Sequence, residues 1–184
     1  MRVAFIGQQR SGKDTAGEAY AEWTRRRFFP NGYSGEHYSL ATPLKELILA
    51  ADGVLTRDRL QQIGTDAIRH ADYDFWVKIL RRELIEYNPG WAYVTDARFP
   101  NEVKMLADQK FHLIGISAPN EDRWQRTNLT ITEETWAKHE KHESEVAARA
   151  ALLDATYVVK NDSSIPAFQR RLEKLFEELY ANTK

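Results

Sequence analysis

Gly7-Gln8-Gln9-Arg10-Ser11-Gly12-Lys13-Asp14-Thr15 is the first stretch of this chain whose residue types and spacing suit chemistry. Two glycines with a lysine directly after the second let the backbone fold so that successive N–H groups point inward at an anion. A helix starting there adds partial positive charge, and Lys13 adds a mobile point charge for the outer phosphates. The stretch predicts that Gln9, Arg10, Ser11, Gly12, Lys13, Asp14 and Thr15 surround the phosphates of a nucleotide. The structural alternative is a glycine turn that only caps a helix. Position 14 departs from the usual pattern, since Asp stands where Ser or Thr normally offers a hydroxyl to Mg²⁺. Either Thr15 helps to bind phosphate while Mg²⁺ keeps its waters, or Asp14 touches the metal shell.

Asp96-Ala97-Arg98-Phe99-Pro100-Asn101-Glu102 is the second such stretch. An acidic residue ending an apolar strand, in a chain with a phosphate loop, is expected to hold Mg²⁺ or its waters. Arg98 follows two places later, and its bidentate fork suits a second phosphate. The alternative is structural: Asp96 caps the helix that opens at Pro100, and Arg98 pairs with Glu102. Transfer to a phosphate acceptor needs little general-base help, because that oxygen is largely ionised, with a second pKa of about 6. It needs positive charge to hold two phosphate groups together. Arg98, Arg123, Arg126 and Arg69 are candidates, each weighed against a solvated surface role. Glu145 reads as a hydrogen-bond acceptor for substrate or for a lid arginine. His139-Glu140-Lys141-His142-Glu143 is one residue short of the spacing of a zinc protease helix and is discounted as a metal site.

The elements that must position these groups follow from periodicity. Arg2–Ile6 is a buried strand, and Ala16, Ala19, Tyr20 and Trp23 give the next segment one apolar helical face. Strands are expected at 37–41, 91–95, 111–117 and 155–159. Thr42-Pro43 opens a helix ended by Asp52-Gly53. Two helical stretches span 57–87, the first interrupted at Gly64-Thr65-Asp66. A last helix carries Phe168, Leu172, Leu175, Phe176 and Leu179 on one face. Strands alternating with helices predict an α/β fold with a mainly parallel five-stranded sheet and helices on both faces. Ligands then bind beyond the carboxyl ends of the strands, where loops at Gly7, Asp96, Ser117 and Asn161 should converge. Asn161 is thereby placed at the nucleotide site.

Composition narrows the classes of function. The formal net charge is −1, which is no electrostatic footprint for nucleic acid. There is no cysteine, so neither a disulfide framework nor thiolate chemistry is available. The Asn128-Leu129-Thr130 sequon carries no meaning without secretion, and no signal peptide or membrane span is expected. The expected setting is the cytoplasm, the host's if a phage encodes the chain. One domain is expected over 1–184, and the choice between monomer and homodimer is left open.

The phosphate loop and Asp-Ala-Arg-Phe-Pro-Asn-Glu together resemble the phage-type deoxynucleoside monophosphate kinases. Gln62-Ile63-Gly64-Thr65-Asp66 with Arg69 and Trp76, and His142-Glu143-Ser144-Glu145, are similar to the same family's pattern. The resemblance implies a P-loop NTPase fold of the nucleoside monophosphate kinase kind, a three-layer α/β/α sandwich, with Mg²⁺-ATP as donor. It implies a deoxynucleoside monophosphate as acceptor and small nucleotides as the partners. By the same resemblance the acceptor region spans about 42–88, with Lys45, Asp66, Arg69, Trp76, Arg98, Glu102 and Glu145 facing the acceptor. The lid would be 119–144, bringing Arg123 and Arg126 to the phosphates. Lys13, Asp96, Arg98 and Arg123 are then the catalytic set. Trp76 remains open between core and base stacking, and Asp66 with Arg69 between a helical pair and acceptor binding. Two other functions stay in view: a P-loop kinase for a hydroxyl acceptor on a small molecule or modified base with Asp96 as base, and a nucleotide-driven switch or assembly ATPase. The polar lid favours a kinase, which must keep water from the γ-phosphate.

Replacing the loop lysine tests the phosphate assignment. Lys13→Met should keep the fold by circular dichroism and lose most transfer activity, because the point charge on the phosphates is gone. Near-normal turnover in the folded variant would remove the basis for a phosphate loop.

Overall fold

The computed structural model describes every residue except Asn31, Asn128, Leu129 and Lys184, so two residues of the formal sequon lie outside it. Its centre is a parallel sheet of five strands: β1 (Arg2–Ile6), β2 (Glu36–Tyr38), β3 (Ala92–Val94), β4 (Phe111–Ser117) and β5 (Tyr157–Lys160). They lie in the order β2-β3-β1-β4-β5. Arg2 stands beside Ala92 on one side and Phe111 on the other, so β1 is flanked by both later strands.

The pleat of β1 divides the molecule. Successive strand residues point to opposite faces, and β1 is apolar on both. Val3 and Phe5 enter a core with Tyr20 and Trp23 of α1 (Lys13–Phe28) and with Phe168, Leu172 and Phe176 of α9 (Ile165–Ala181). Ala4 and Ile6 enter the opposite core with Leu44 and Ile48 of α2 (Thr42–Asp52). Leu80 and Leu84 of α4 (Phe75–Tyr87) and Leu106 of α5 (Pro100–Asp108) complete that face. The result is a three-layer α/β/α sandwich.

Three boundaries differ from the periodicity. The second strand ends at Tyr38 because the next backbone N–H groups, of Leu40 and Ala41, turn to the Asp96 carboxylate. The expected break at Gly64 is a change of pitch: α3 (Arg57–Gln61) runs on into a π-helix over Gln62–Arg69. The Gly64 carbonyl within it accepts the Trp76 indole N–H at 3.0 Å. Described residues of the polar 119–144 segment form α6 (Asn120–Gln125), α7 (Glu133–Lys141) and the start of α8 (Glu143–Ala151), with Trp136 and Arg123 buried.

Helix α1 lies close to β3 at Gly17, where an added Cβ would stand 2.7 Å from both Thr95 Cγ2 and the Tyr93 ring. Gly17→Val should therefore lower stability by about 1–3 kcal/mol through overpacking. Urea unfolding checks this, and an unchanged midpoint would show that the helix has room to move.

Candidate active site

The phosphate loop joins β1 to α1 through backbone that few residues adopt. Arg10 has φ 58° and Gly12 φ 105°, both left-handed, and such alternation turns N–H groups into an anion-binding nest. A side chain at position 12 would also strike Asn161, whose Nδ2 lies 2.3 Å from the ideal Cβ. Asn161 Nδ2 donates to the Ser11 carbonyl at 2.8 Å, and its own N–H donates to Ser117 O at 2.7 Å. Arg126 closes over the loop, donating to Arg10 O at 3.1 Å and Asn161 O at 2.8 Å. The ends of β1, β4 and β5 thus converge on the loop, with the end of β3 across the cavity.

Lys13 folds back, its ammonium donating to Gln8 O at 2.7 Å. Burial, and then the Arg98 guanidinium, lowers its pKa to about 7, while Glu145 and Asp14 act to keep it charged. The loop borders a cavity of about 750 Å³ that runs from Asp14 and Thr15 past Asp96 and Arg98 to Leu44, Gly64 and Trp76. Lys45, Arg69, Arg126, Thr127 and His139 also line it.

Glu145, at the start of α8, is fully buried. Its carboxylate accepts the backbone N–H of Gln9 at 2.8 Å and the Arg57 guanidinium at 2.8 Å, and it pairs with Arg98. Burial alone would raise its pKa, but Arg98, the Gln9 N–H and Arg57 outweigh it and hold the carboxyl at about 2. Arg57 was not legible in the sequence: nothing in its spacing links it to a residue 88 positions away.

Several expected site residues have structural partners. Asp96 Oδ2 accepts the Ser39 hydroxyl at 2.6 Å and Ala41 N–H at 2.9 Å, and Oδ1 accepts Leu40 N–H at 3.1 Å. It caps the entry to α2, not the helix that opens at Pro100. Glu102 does the latter, accepting the N–H groups of Arg98 and Phe99, while pairing with Arg69 at 2.5 Å. Arg98 therefore pairs with Glu145 through its side chain rather than with Glu102. Arg69 also lies over the Phe99 ring, 3.9 Å from its centroid.

Arg123 turns away from the cavity. It makes a bidentate pair with Glu140, at 2.6 and 2.9 Å, and donates to Asn120 and Gln9 O. Asp66 is exposed and lies 3.5 Å from His142, not paired with Arg69. Trp76 is buried and hydrogen-bonded, with an edge on the cavity. Three histidine–carboxylate contacts join the 139–143 segment to the 58–70 segment: His139 with Asp58, His142 with Asp66, and His70 with Glu143.

No family model matches the chain, and no curated protein matches it. Solved structures do. Shikimate kinase from Acinetobacter baumannii in complex with shikimate is 15% identical, with a TM-score of 0.56 over 98% of this chain and 93% of that one. Shikimate kinase from Aquifex aeolicus is 16% identical, with a TM-score of 0.56 over 100% and 98%. TT1252 from Thermus thermophilus is 16% identical, with a TM-score of 0.59 over 97% of each. The likeness is one of fold: this is the P-loop NTPase fold, in the form that the shikimate kinases have.

The Glu145 cluster sets an acid limit. Its carboxyl titrates near 4.5 when free and near 2 when folded, so its pairing stabilises the fold above about pH 4.5 and is lost as pH falls toward 2. The loss is on the order of 3 kcal/mol. In urea titrations the stability gap between wild type and Glu145→Gln should narrow over that window. A gap constant from pH 6 to 3 would contradict an ionised, paired Glu145.

Proposed function

We propose that this protein is a P-loop kinase that transfers the γ-phosphoryl group of ATP to a small acceptor already carrying a phosphate, with a deoxynucleoside monophosphate as the class. The observation that carries this reading is the contrast between Asp96 and the two arginines. A hydroxyl acceptor calls for a carboxylate free to take a proton. Both oxygens of Asp96 are occupied by Ser39, Leu40 and Ala41. Across the same cavity, Arg57 and Arg98 stay partly exposed around one carboxylate, which suits them to a phosphate.

In this reading the N–H groups of the phosphate loop and Lys13 hold the β- and γ-phosphates. Arg98 holds the acceptor phosphate, whose oxygen is already ionised near neutral pH and attacks without a base. Arg126, Thr127 and His139, within the lid expected at 119–144, exclude water from the γ-phosphate. Among the described residues no group of three or more His, Asp or Glu side chains is arranged as a metal cage. The site instead suits an ion that needs only one or two protein oxygens beside the nucleotide phosphates. Thr15 and Asp14 line the cavity and would hold Mg²⁺, with Asp96 beyond them. The ion would neutralise charge on the transferring group.

A second reading has one observation in its favour. The structural neighbours include kinases named for shikimate, an acceptor without a phosphate. ADP release measured across the deoxynucleoside monophosphates, shikimate and a no-acceptor control separates the readings. Release stimulated by a monophosphate supports the proposal, stimulation by shikimate alone overturns the acceptor class, and release indifferent to every acceptor indicates a nucleotide-driven switch or ATPase. With a monophosphate, Arg98→Ala should raise acceptor KM and lower kcat, with kcat/KM falling about ten- to a hundredfold from the lost charge-assisted contact. Asp96→Asn should affect acceptor affinity less. An innocuous Arg98→Ala would rule out the phosphate acceptor.

A further inference from the structure

The two oxygens of the buried Glu145 have partners on different segments around the cavity. Oε2 accepts the Gln9 N–H of the phosphate loop, and Oε1 takes Arg57 and Arg98 on the acceptor side. We infer that Glu145 is a positioning residue that couples the two subsites, so that a nucleoside triphosphate on the loop and a phosphate monoester on the arginines each tighten binding of the other. This coupling presupposes the phosphate-acceptor kinase proposed above.

The geometry allows both arginines to work without releasing Glu145. Arg98 reaches it through Nη1 and Arg57 through Nη2, which leaves other N–H groups on each planar fork. Their side chains are 24% and 30% exposed and both line the cavity, whereas the Glu145 side chain is 0% exposed. A buried carboxylate has no water to turn to, so its orientation is set by its partners alone. A triphosphate that orders the Gln9 peptide therefore orders the carboxylate, and through it both guanidinium planes. The second ligand then meets a site whose ordering cost has been met by the first, which gives positive coupling, and linkage makes it reciprocal.

An amide in place of the carboxylate cannot serve both sides. In Glu145→Gln one position becomes an NH₂ donor, which must face either the Gln9 N–H or the guanidinium groups, all of them donors. The same change removes the negative charge nearest the arginines. Acceptor binding to the free enzyme should therefore hold or strengthen while coupling disappears. A merely architectural role for Glu145 would weaken every affinity together.

Calorimetric titration of the β,γ-imido analogue of ATP and of each common deoxynucleoside monophosphate, alone and with the other ligand saturating, reads the coupling directly. Wild type should show mutual tightening of about fivefold or more. In Glu145→Gln the two affinities should be independent within about twofold, with acceptor affinity in the absence of donor not reduced. If Glu145→Gln does not fold, Arg57→Gln carries the test: its partly exposed side chain is one arm of the bridge, and its loss should reduce the coupling factor as well as acceptor affinity. Wild type that binds both ligands without coupling overturns the inference and leaves the kinase reading standing. Coupling that persists undiminished in the folded variants also overturns it. Wild type that binds no monophosphate overturns the proposed function, and the inference with it.

Discussion

A carboxylate stripped of water among cations is the constraint around which this site is built. Removing an ion from water costs several kcal/mol unless partners replace its hydration, and Glu145 has Arg57, Arg98 and the Gln9 N–H in that place. No two of these partners come from neighbouring parts of the chain. Gln9 belongs to the loop after β1, Arg57 to α3, Arg98 to the turn after β3, and Glu145 to α8. Satisfying one side chain therefore fixes the loop after β1, α3, the turn after β3 and α8 relative to one another. It also moderates the environment of Lys13: with two arginines nearby, the ammonium would lose more of its affinity for a proton without Glu145 opposite.

The same logic recurs at the second buried pair. Arg69 and Glu102 are both nearly inaccessible and lie 2.5 Å apart, and Glu102 spends its other oxygen on the N–H groups of Arg98 and Phe99. One end of this pair stiffens the π-helix, and the other sets the backbone from which Arg98 projects. Residues that resemble a substrate-binding set in sequence here hold one another at the wall of the cavity, beside Arg98.

What could be read from the sequence divides along physical lines. The sheet, the phosphate loop and the long amphipathic helix α9 were legible because each is written in local spacing: apolar runs, a glycine pair before a lysine, and Phe168, Leu172 and Phe176 on one face. Arg57 was not, because its partner lies 88 residues away and nothing in α3 marks it. Arg123 was misplaced for a related reason. A lid arginine has the right charge for phosphate, but Glu140 on α7 lies in reach of it once the lid folds, and the nearer anion takes it. The π-helix was read as a break, since Gly64-Thr65-Asp66 breaks an α-pattern and periodicity has no separate signal for a widened turn.

The role of Asp96 follows from the strand that carries it. A residue at the carboxyl end of β3, beside β1, stands where such sheets bring ligands, and it also stands beside the chain entering α2. Three donors from Ser39, Leu40 and Ala41 engage both of its oxygens, which fixes the carboxylate and its negative charge in place. Fixed negative charge near a phosphate loop favours a cation carried in on the nucleotide, without demanding a direct bond to it. Capping and chemistry are thus compatible at this residue, provided the chemistry is electrostatic. That condition is met when the acceptor arrives already ionised, and it fails when a hydroxyl must first be deprotonated. The distribution of hydrogen bonds around one strand-end aspartate therefore bears on the class of acceptor as directly as the arginines opposite it.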